Sequence, residues 1–425
     1  MRETSQNPYI ASAKFNRKAI QVSEAQKRAH SLVGSARIEK VPIHEANGRF
    51  LAEDVFAPHP YPFFRRSGMD GYAIRCEDVE QASSNQVIWL KVIDDIPCGY
   101  ASDMILTETT AARIMTGAMV PEGADAVVML EATESRTEGG TSWVGIKRPM
   151  DQGANITPVG FEVRPDELLL RQGTRITAGE LSVLATFGIH QVPVFSKPIV
   201  AVFATGTELL RVDEPLQPGK IRNSNTIMLA SQIEQAGGIA VVQDSVPDDI
   251  ELARQRLDQA IQEYDFIVTS GGVSVGDYDI MGDLVRRPEV DMLFNKVTMR
   301  PGSVTTAAVV QGKLLFALSG NPGACYVGFE LFVRPAIRKM LGDQQPYLET
   351  WTATLRQDFN KVNNFTRFVR SRLEIEDGRV WVTPAAIDES SVMVSIKDSD
   401  CLMIVPPEQK GLQAGTQVQV LKLER

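Results

Sequence analysis

Residues 266–276 have the sequence FIVTSGGVSVG, an apolar run that ends abruptly in a loop of small and polar residues. The same arrangement occurs at residues 199–209, IVAVFATGTEL, and at residues 314–324, LLFALSGNPGA. Short, continuously apolar strands are typical of parallel sheets that are buried on both faces. Because helical periods lie between these strands, the pattern predicts a doubly wound α/β domain.

The segments around these strands have the periods expected of the same domain. Residues 226–236 and 248–264 each place apolar side chains on one helical face, and residues 239–242 form another apolar strand. A long helix is expected at residues 325–341. Together these elements predict strand–helix units of a parallel sheet.

On both sides of this domain, the sequence pattern mostly predicts short β-strands instead of alternating strands and helices. Residues 71–153 consist of short β-like runs separated by turn signals, which predict an all-β domain. Residues 347–425 return to alternating short strands and predict a second, smaller β domain. Residues 22–33 have a helical period, and Thr177-Ala-Gly-Glu180 has the form of a capping box before another short helix.

Composition excludes several classes of protein. The chain has 425 residues, 43% hydrophobic, and its 44 basic and 53 acidic side chains sum to a net charge of −9. That length predicts two to four domains, and the acidic balance argues against non-specific nucleic-acid binding. No apolar run approaches the ~18–20 residues needed to span a bilayer, and no secretory signal is visible. The 4 cysteines form no C-x-x-C pair, which favours a cytoplasmic protein in a reducing compartment.

Three loops follow the predicted parallel strands, and each combines glycine with hydroxyl or amide side chains. In open α/β sheets, ligands bind outside the carboxyl ends of the strands. Glycine lets the backbone approach a ligand, and free N–H groups at a helix start attract an anion, although a single tight turn needs glycine for steric reasons alone. Three such loops at one edge predict a binding crevice. The candidate substrate-binding residues in these loops are Thr205, Gly206, Ser270, Gly271, Gly272, Ser274, Ser319, Gly320, Asn321 and Pro322.

Other interpretations of these glycines fail on spacing. No G-x-x-x-x-G-K-[ST] motif is present, and no G-x-G-x-x-G follows a strand, so neither a P-loop nor a nicotinamide-binding fold is indicated. Gly272-Val-Ser274-Val-Gly276 matches the nucleophile elbow of an α/β-hydrolase. That class requires a histidine after the serine, whereas all 4 histidines precede Ser274, so the hydrolase has no base.

Carboxylates also follow the predicted strand ends. They are Glu208, Asp248, Asp249, Asp277 and Asp279. Several carboxylates beside an anion site repel one another unless a cation lies between them, and Mg²⁺ suits oxygen ligands together with phosphate. The aspartates have an alternative role, because each is placed to cap the helix that follows it.

Two strings in the first β domain are unusually specific. They are RRSGMDGYA at residues 65–73 and RIMTGA at residues 113–118. Asp70-Gly71 alone would indicate a hairpin turn. Combined with PEGADAVV at 121–128, RPG at 300–302 and the three glycine loops, these strings resemble the molybdopterin molybdenumtransferases. That family performs the last step of molybdenum-cofactor synthesis and includes the E domain of gephyrin.

The resemblance extends from about residue 22 to the C-terminus and implies a four-part architecture. An extended helical arm domain would comprise residues 19–45 and 155–190, with the β domain, 46–154, inserted between them. The α/β molybdopterin-binding domain, 191–342, would precede a C-terminal β-barrel-like domain, 343–425. The resemblance also implies a homodimer in which each active site lies between the α/β domain of one subunit and the β domain of the other.

The resemblance further implies the reaction and its residues. Adenylyl-molybdopterin and molybdate would give molybdenum cofactor and AMP, with Mg²⁺ as cofactor. Asp70 and Thr116 would be catalytic residues that face the site from the partner's β domain. Glu208, Asp248 and Asp279 would be both catalytic and metal-binding, and Pro322 would shape the third loop.

Two cations and two departures from the family pattern concern the anion site. Lys296 and Arg300 are four residues apart and share a face in a strand or a helix, so they could neutralise the substrate's charge or could be surface charges. Ser303 stands where the family commonly has lysine, and Ser319 where it often has proline. The alternative to an active enzyme is a non-catalytic molybdopterin-binding or scaffold paralogue. Retention of four residues favours the enzyme: Asp70, Thr116, Glu208 and Asp279.

Overall fold

The computed structural model describes residues 18–34, 36–244, 250–272, 290–362, 364–407 and 411–424. The chain divides into two compact units. The large unit comprises the chain up to residue 53, residues 172–181 and everything from residue 191 onward, and the small unit comprises residues 54–171 and 182–190. Within the described ranges, none of the helices has the length and apolar character needed to cross a membrane. The four domain limits expected from the sequence stay predictions.

The large unit contains the predicted α/β sheet. In spatial order its strands are Ile239–Val242, Ile199–Ala204, Phe266–Ser270, Lys313–Leu318, Thr306–Val310 and Val290–Phe294. The first four are parallel and were predicted, whereas Thr306–Val310 is antiparallel to both of its neighbours, and neither it nor Val290–Phe294 was predicted. A two-residue hairpin loop, Gln311-Gly312, has positive φ at both positions and joins Thr306–Val310 to its antiparallel neighbour Lys313–Leu318. This turn was the sequence signal that could have revealed the fifth strand.

Helices cover both faces of this sheet, as the doubly wound prediction requires. Val200 and Val202 pack in one core with Leu229 of helix Asn225–Gln235. The alternate residues Ala201 and Phe203 pack in a second core, to which helix Ile250–Glu263 contributes. Successive side chains of a strand point to opposite faces, so a continuously apolar strand is what two covered faces demand. The α/β class is therefore confirmed.

The predicted long helix begins earlier than expected. It starts at Pro322 rather than residue 325, runs as Pro322–Gly328, continues through a π-helical turn at Phe329–Val333, and ends as Arg334–Met340. Proline is favoured in the first turn because its missing N–H has no helical partner there. The prediction of the start was wrong for this reason, and the helix N-terminus lies directly after the third glycine loop.

The π-helical turn buries an ionisable side chain. Glu330 is 7% exposed and its Oε1 accepts a hydrogen bond from Nε2 of the buried Gln232 at 2.7 Å. Its Oε2 lies 3.7 Å from Nε of Arg334, which also pairs with Glu424. Burial raises the pKa of the Glu330 carboxyl to about 7. The folded protein therefore holds a proton here that the unfolded chain releases.

We expect Glu330→Gln to remove a pH dependence of stability. Between pH ~4.5 and ~7 the folded state binds this proton more tightly than the unfolded state, so wild-type stability falls as pH rises through that window. Glutamine keeps the acceptor for Gln232 and has no charge to bury. The melting temperature of the variant relative to wild type should therefore rise from pH 5 to pH 8, by the equivalent of about 2–3 kcal/mol at most.

The control for this prediction is Glu374→Gln, which removes an exposed carboxylate. Its melting temperature should follow that of wild type across the same range. Parallel curves for Glu330→Gln and wild type would show that Glu330 does not titrate in this window.

Shorter elements of the chain lie outside the α/β sheet. Helix Val22–Ser31 confirms the first predicted helix, and strand Ile38–Pro42 pairs antiparallel with Gln191–Phe195. The Glu180 carboxylate accepts the Thr177 backbone N–H at 2.8 Å, which confirms the capping box that begins helix Ala178–Thr186. A short parallel pair, Leu209–Leu210 and Ile221–Arg222, follows the first glycine loop. The 3₁₀ turns within the described ranges are Ile43–Glu45, Cys76–Val79, Leu130–Ala132 and Val394–Ile396.

The C-terminal part of the large unit is a closed five-stranded barrel. Its strands are, in order of pairing, Thr366–Glu376, Arg379–Pro384, Thr350–Leu355, Gln417–Lys422 and Cys401–Val405. The barrel closes because Cys401–Val405 pairs with Thr366–Glu376. The short strand Met299–Arg300 also pairs with Thr366–Glu376, which places Arg300 beside Arg367. The barrel-like prediction is confirmed, although Cys401–Val405 was not predicted.

The small unit is built on a six-stranded sheet. In spatial order the strands are Ala126–Met129, Gly71–Ile74, Thr110–Ile114, Ile88–Ile96, Thr141–Ile146 and Thr133–Glu138. Two short antiparallel pairs accompany it: Arg66–Ser67 with Ile156–Thr157, and Val55–Phe56 with Leu168–Leu170. The all-β prediction for this region is confirmed.

Candidate active site

The three glycine loops of the large unit meet at one edge of the α/β sheet. The backbone N–H of Thr205 donates to the Ser270 carbonyl at 3.0 Å, and the N–H of Gly271 donates to the Leu318 carbonyl at 3.0 Å. Gly271 has a φ of +92°, and a Cβ there would lie 2.6 Å from the Thr205 carbonyl oxygen. A Cβ on Gly320 would lie 3.5 Å from the Gly271 Cα. Glycine is therefore required where the first two loops touch. We call the three glycine loops together the rim.

A residue missed by the sequence analysis also joins the rim. Asn225, 8% exposed, donates through Nδ2 to Ser270 Oγ at 2.7 Å and to the Gly320 carbonyl at 2.8 Å. It therefore connects the second loop with the third. Its only sequence signal was a polar run, Asn223-Ser-Asn225, that opens a helix.

The described acidic residue of the rim is Glu208. Gly206 has a φ of +142°, and a Cβ built on it would lie 2.4 Å from Glu208 Oε2. The exposed carboxylate is therefore folded back over the first loop. Asp248, Ser274, Asp277 and Asp279 lie outside the described residues, as does Asp249. Among the residues that the structure does describe, no group of three His, Cys, Asp or Glu side chains is arranged to hold a metal ion.

A cavity of about 250 Å³ adjoins the third loop. Its polar lining includes Arg300, Ser303, Ser319, Asn321, Arg367 and Ser390. The helix that begins at Pro322 adds its positive dipole end. Both serines that depart from the family pattern thus line this cavity, whereas Lys296 is not one of the described residues that do. Cations, hydroxyl groups and a helix N-terminus together suit an oxyanion.

Among the described residues that line the cavity, one basic side chain has no carboxylate partner and can therefore bind an anion. Arg367 Nη1 lies 2.9 Å from Asp388 Oδ2, and Lys361 Nζ lies 2.8 Å from Glu389 Oε1, so both carboxylates of the lining are paired. Arg300 is exposed and has no carboxylate partner among the described residues. Of the two sequence candidates, Arg300 is therefore the one that can meet an anion in the cavity.

The barrel contributes one wall of the cavity, which the sequence analysis did not anticipate. The side chain of Arg370 is fully buried and donates to the Glu389 and Val392 carbonyls, each at 2.8 Å. The segment it holds accepts the Gly323 N–H at the Ser390 carbonyl, 2.9 Å away. A Cβ on Gly323 would lie 1.8 Å from Arg370 Nη1. The third loop therefore packs directly against this arginine.

The small unit brings Asp70 and Thr116 together. Asp70 Oδ1 accepts hydrogen bonds from the Thr116 backbone N–H at 2.6 Å and from Thr116 Oγ1 at 2.7 Å. These bonds, with a smaller effect from Arg113, hold the pKa of the Asp70 carboxyl below its usual value. The carboxylate is therefore ionised, exposed and fixed in direction.

Gly71 has a different role from the turn that Asp70-Gly71 alone would indicate. It is the first residue of strand Gly71–Ile74, and a Cβ there would lie 1.9 Å from the Val128 carbonyl oxygen. The close approach of two strands, not a hairpin turn, requires glycine. It also fixes the backbone directly after Asp70.

Comparison with family models covers most of the chain in three consecutive segments. Residues 20–188 match the MoeA N-terminal region (domain I and II), residues 201–339 match a probable molybdopterin-binding domain, and residues 352–423 match the MoeA C-terminal region (domain IV).

Three individual proteins are similar to this chain over nearly its full length. The molybdopterin molybdenumtransferase of Bacillus subtilis (strain 168) is 44% identical over 405 residues, which are 95% of this chain and 94% of that protein. The enzyme of the same name from Staphylococcus aureus (strain COL) is 40% identical over 408 residues, 96% of each chain. The crystal structure of the molybdopterin biosynthesis MoeA protein from Pyrococcus horikoshii has a TM-score of 0.83 at 30% identity, and covers 96% of this chain and 100% of that one.

Proposed function

The chain belongs to the molybdopterin molybdenumtransferase family, and on this premise we propose that it is a transferase that inserts molybdate into adenylyl-molybdopterin and releases AMP. The observation that carries the proposal is the rim, where three loops meet beside a cavity containing Arg300. The reaction joins an oxyanion to a phosphorylated pterin, so it needs two neighbouring sites for negative charge. The rim and the cavity supply such a pair.

The substrates are assigned to these two places by their chemistry. We assign the phosphate of adenylyl-molybdopterin to the glycine loops, because backbone that bears no Cβ can approach it closely. We assign molybdate to the cavity, where Arg300 and the helix start at Pro322 favour a small oxyanion. AMP would leave from the rim once the phosphoanhydride is broken.

Mg²⁺ is the proposed cation of the rim, where it would neutralise phosphate charge. Glu208 suits it, because a carboxylate oxygen is the ligand that Mg²⁺ prefers and this one projects over the first loop. Asp248 and Asp279 are the further ligands that the resemblance implies. This chain's own contribution is to hold the carboxylate in place, since Gly206 leaves room for it.

We expect Glu208→Gln to raise at least about tenfold the Mg²⁺ concentration that half-saturates AMP release. An amide oxygen lacks the charge that binds the cation, while the shape of the loop is unchanged. The measurement is a Mg²⁺ titration of chelator-treated protein. Glu214→Gln is the matched control, because Glu214 is an acidic neighbour that accepts the Arg211 N–H at 2.7 Å. Equal Mg²⁺ requirements in both variants and wild type would remove Glu208 from the metal site.

A homodimer is the proposed assembly, and apolar side chains of the small unit support it. Phe63 is 67% exposed and Phe161 is 70% exposed, on two segments joined by hydrogen bonds such as Gly160 N–H to the Pro62 carbonyl. Phe56, Phe64 and Val159 are also exposed there. A group of large apolar side chains of this kind marks an interaction surface. In such a dimer, Asp70 and Thr116 of one subunit would serve the rim of the other.

A cytoplasmic location is proposed from the thiols. All four cysteines are free, which is expected where glutathione keeps thiols reduced.

The function is tested by giving the purified protein adenylyl-molybdopterin, molybdate and Mg²⁺, and measuring AMP. We expect AMP release that depends on molybdate. A folded dimer that binds adenylyl-molybdopterin and releases no AMP would instead support the alternative, a non-catalytic molybdopterin-binding or scaffold paralogue.

A further inference from the structure

The amide of Asn225 is oriented by two acceptors that belong to different loops. Its Nδ2 donates to Ser270 Oγ at 2.7 Å in the second loop and to the Gly320 carbonyl at 2.8 Å in the third. A carbonyl oxygen can only accept, so Nδ2 and not Oδ1 must face Gly320. Both hydrogens of the amide are therefore used to connect the two loops.

One backbone hydrogen bond, from the Gly271 N–H to the Leu318 carbonyl at 3.0 Å, joins the strand ends that lead into these loops, and the direct contacts beyond it are weaker. Ser270 Oγ lies 3.5 Å from the Ser319 carbonyl oxygen, and even a Cβ built on Gly320 would only reach van der Waals distance, 3.5 Å, of the Gly271 Cα. Beyond the strand ends, the spacing of the second and third loops therefore depends on the Asn225 amide. Because Asn225 opens helix Asn225–Gln235, a regular element sets that spacing.

Stability alone does not account for this side chain. Its Oδ1 is buried and has no hydrogen-bond partner among the described residues. An unpartnered buried acceptor is destabilising, and an apolar side chain of similar shape would avoid that cost. The two hydrogen bonds that Nδ2 donates to the loops therefore explain an amide at this position better than packing does.

We propose that Asn225 is a positioning residue for molybdate insertion, which holds the second and third loops at the separation that the phosphorylated pterin requires. The inference rests on the proposed function. Asn225 acts through Ser270 and Gly320, and the ligand is contacted by the loops. The separation matters because a displacement of about 1 Å in a reacting group can cost about 100-fold in rate.

The same helix offers a matched control. Gln232 is 4% exposed, donates through Nε2 to Glu330 Oε1 at 2.7 Å, and likewise has a buried Oε1 without a partner among the described residues. It lies on helix Asn225–Gln235 with Asn225 but contacts the π-helical turn instead of the rim. A merely structural role for buried amides on this helix would affect both residues alike.

The experiment compares Asn225→Leu with Gln232→Met in the full-length protein. We expect Asn225→Leu to lower kcat/KM for AMP release from adenylyl-molybdopterin about 10- to 100-fold at a melting temperature no lower than that of Gln232→Met. Gln232→Met should keep kcat/KM within about twofold of wild type, because its partners lie away from the rim. If Asn225→Leu does not fold, Asn225→Asp tests the same point, since its carboxylate cannot donate to Gly320.

Hydrogen exchange separates a failure of this inference from a failure of the proposed function. Exchange at residues 270–272 and 319–321 should rise in the Asn225 variant and not in Gln232→Met, whether or not the wild type releases AMP. A wild type without AMP release would overturn the proposed function alone. A folded Asn225 variant with wild-type kcat/KM, or with wild-type exchange in both loops, would overturn the inference.

Discussion

Replacing Asp70 with asparagine is expected to lower AMP release at least about 100-fold and to leave the melting temperature unchanged. Thr116 donates two hydrogen bonds to Asp70 Oδ1, and an asparagine oxygen can accept both. The local structure should therefore survive. The change removes a carboxylate whose pKa is held low, so the site loses an ionised group that could accept a proton or orient a donor of the substrate.

Asp125→Asn is the matched control for this prediction. Asp125 is in the same unit, and its Oδ1 accepts the Cys76 backbone N–H at 2.7 Å, so it too is a carboxylate fixed by a backbone donor. We expect that substitution to leave AMP release unchanged. Equal activity of Asp70→Asn and wild type would remove Asp70 from the reaction, and an equal loss in both variants would point to folding instead.

The second large effect is expected from Gly271→Ala. A Cβ at this position would lie 2.6 Å from the Thr205 carbonyl oxygen, and the φ of +92° is itself unfavourable for alanine. We expect a loss of about 2–4 kcal/mol in stability, because strain and overlap add. AMP release should fall at least about 100-fold, because the first two loops must separate.

Gly312→Ala separates backbone strain from the contact between loops. Gly312 has a φ of +80° and no atom within 4 Å of its ideal Cβ position. This substitution should cost about 1–2 kcal/mol and leave AMP release unchanged. If Gly271→Ala resembled it in both measurements, the two loops would not need to touch.

Asp70→Asn and Gly271→Ala together test whether the two subunits of a dimer share an active site. Chains carrying Asp70→Asn and Gly271→Ala can be co-expressed with different tags, and the mixed dimer purified. If Asp70 serves the rim of the partner, one of the two sites in that dimer has neither substitution, and about half of wild-type activity should return. An inactive mixed dimer would place both residues in a site formed by a single chain.

The α/β sheet and the position of its loops could be predicted because they depend on local patterns. Phe266–Ser270 is buried at every residue, so the strand begins with a continuous apolar run that is recognisable in the sequence. Loops after parallel strands must lie at one sheet edge, which is why the sequence alone places Thr205 and Gly271 together. The capping box at Thr177 was likewise readable from adjacent residues.

What could not be predicted depends on contacts between distant parts of the chain. Asn225 reaches a loop 95 residues away, and no local period marks such a bond. The wall that the barrel contributes to the cavity depends on Arg370. A hydrophobicity pattern predicts that a charged residue such as this one is exposed, whereas its side chain is fully buried. The π-helical turn arises within a segment whose helical period is otherwise regular.

The most direct test of the rim is a crystal structure of the protein with AMP and molybdate bound. We predict the phosphate of AMP against the loops that contain Gly206, Gly271 and Gly320, and molybdate in the cavity beside Arg300. Phosphate density on another face of the sheet, or a cavity that admits no molybdate while AMP occupies the rim, would contradict the account.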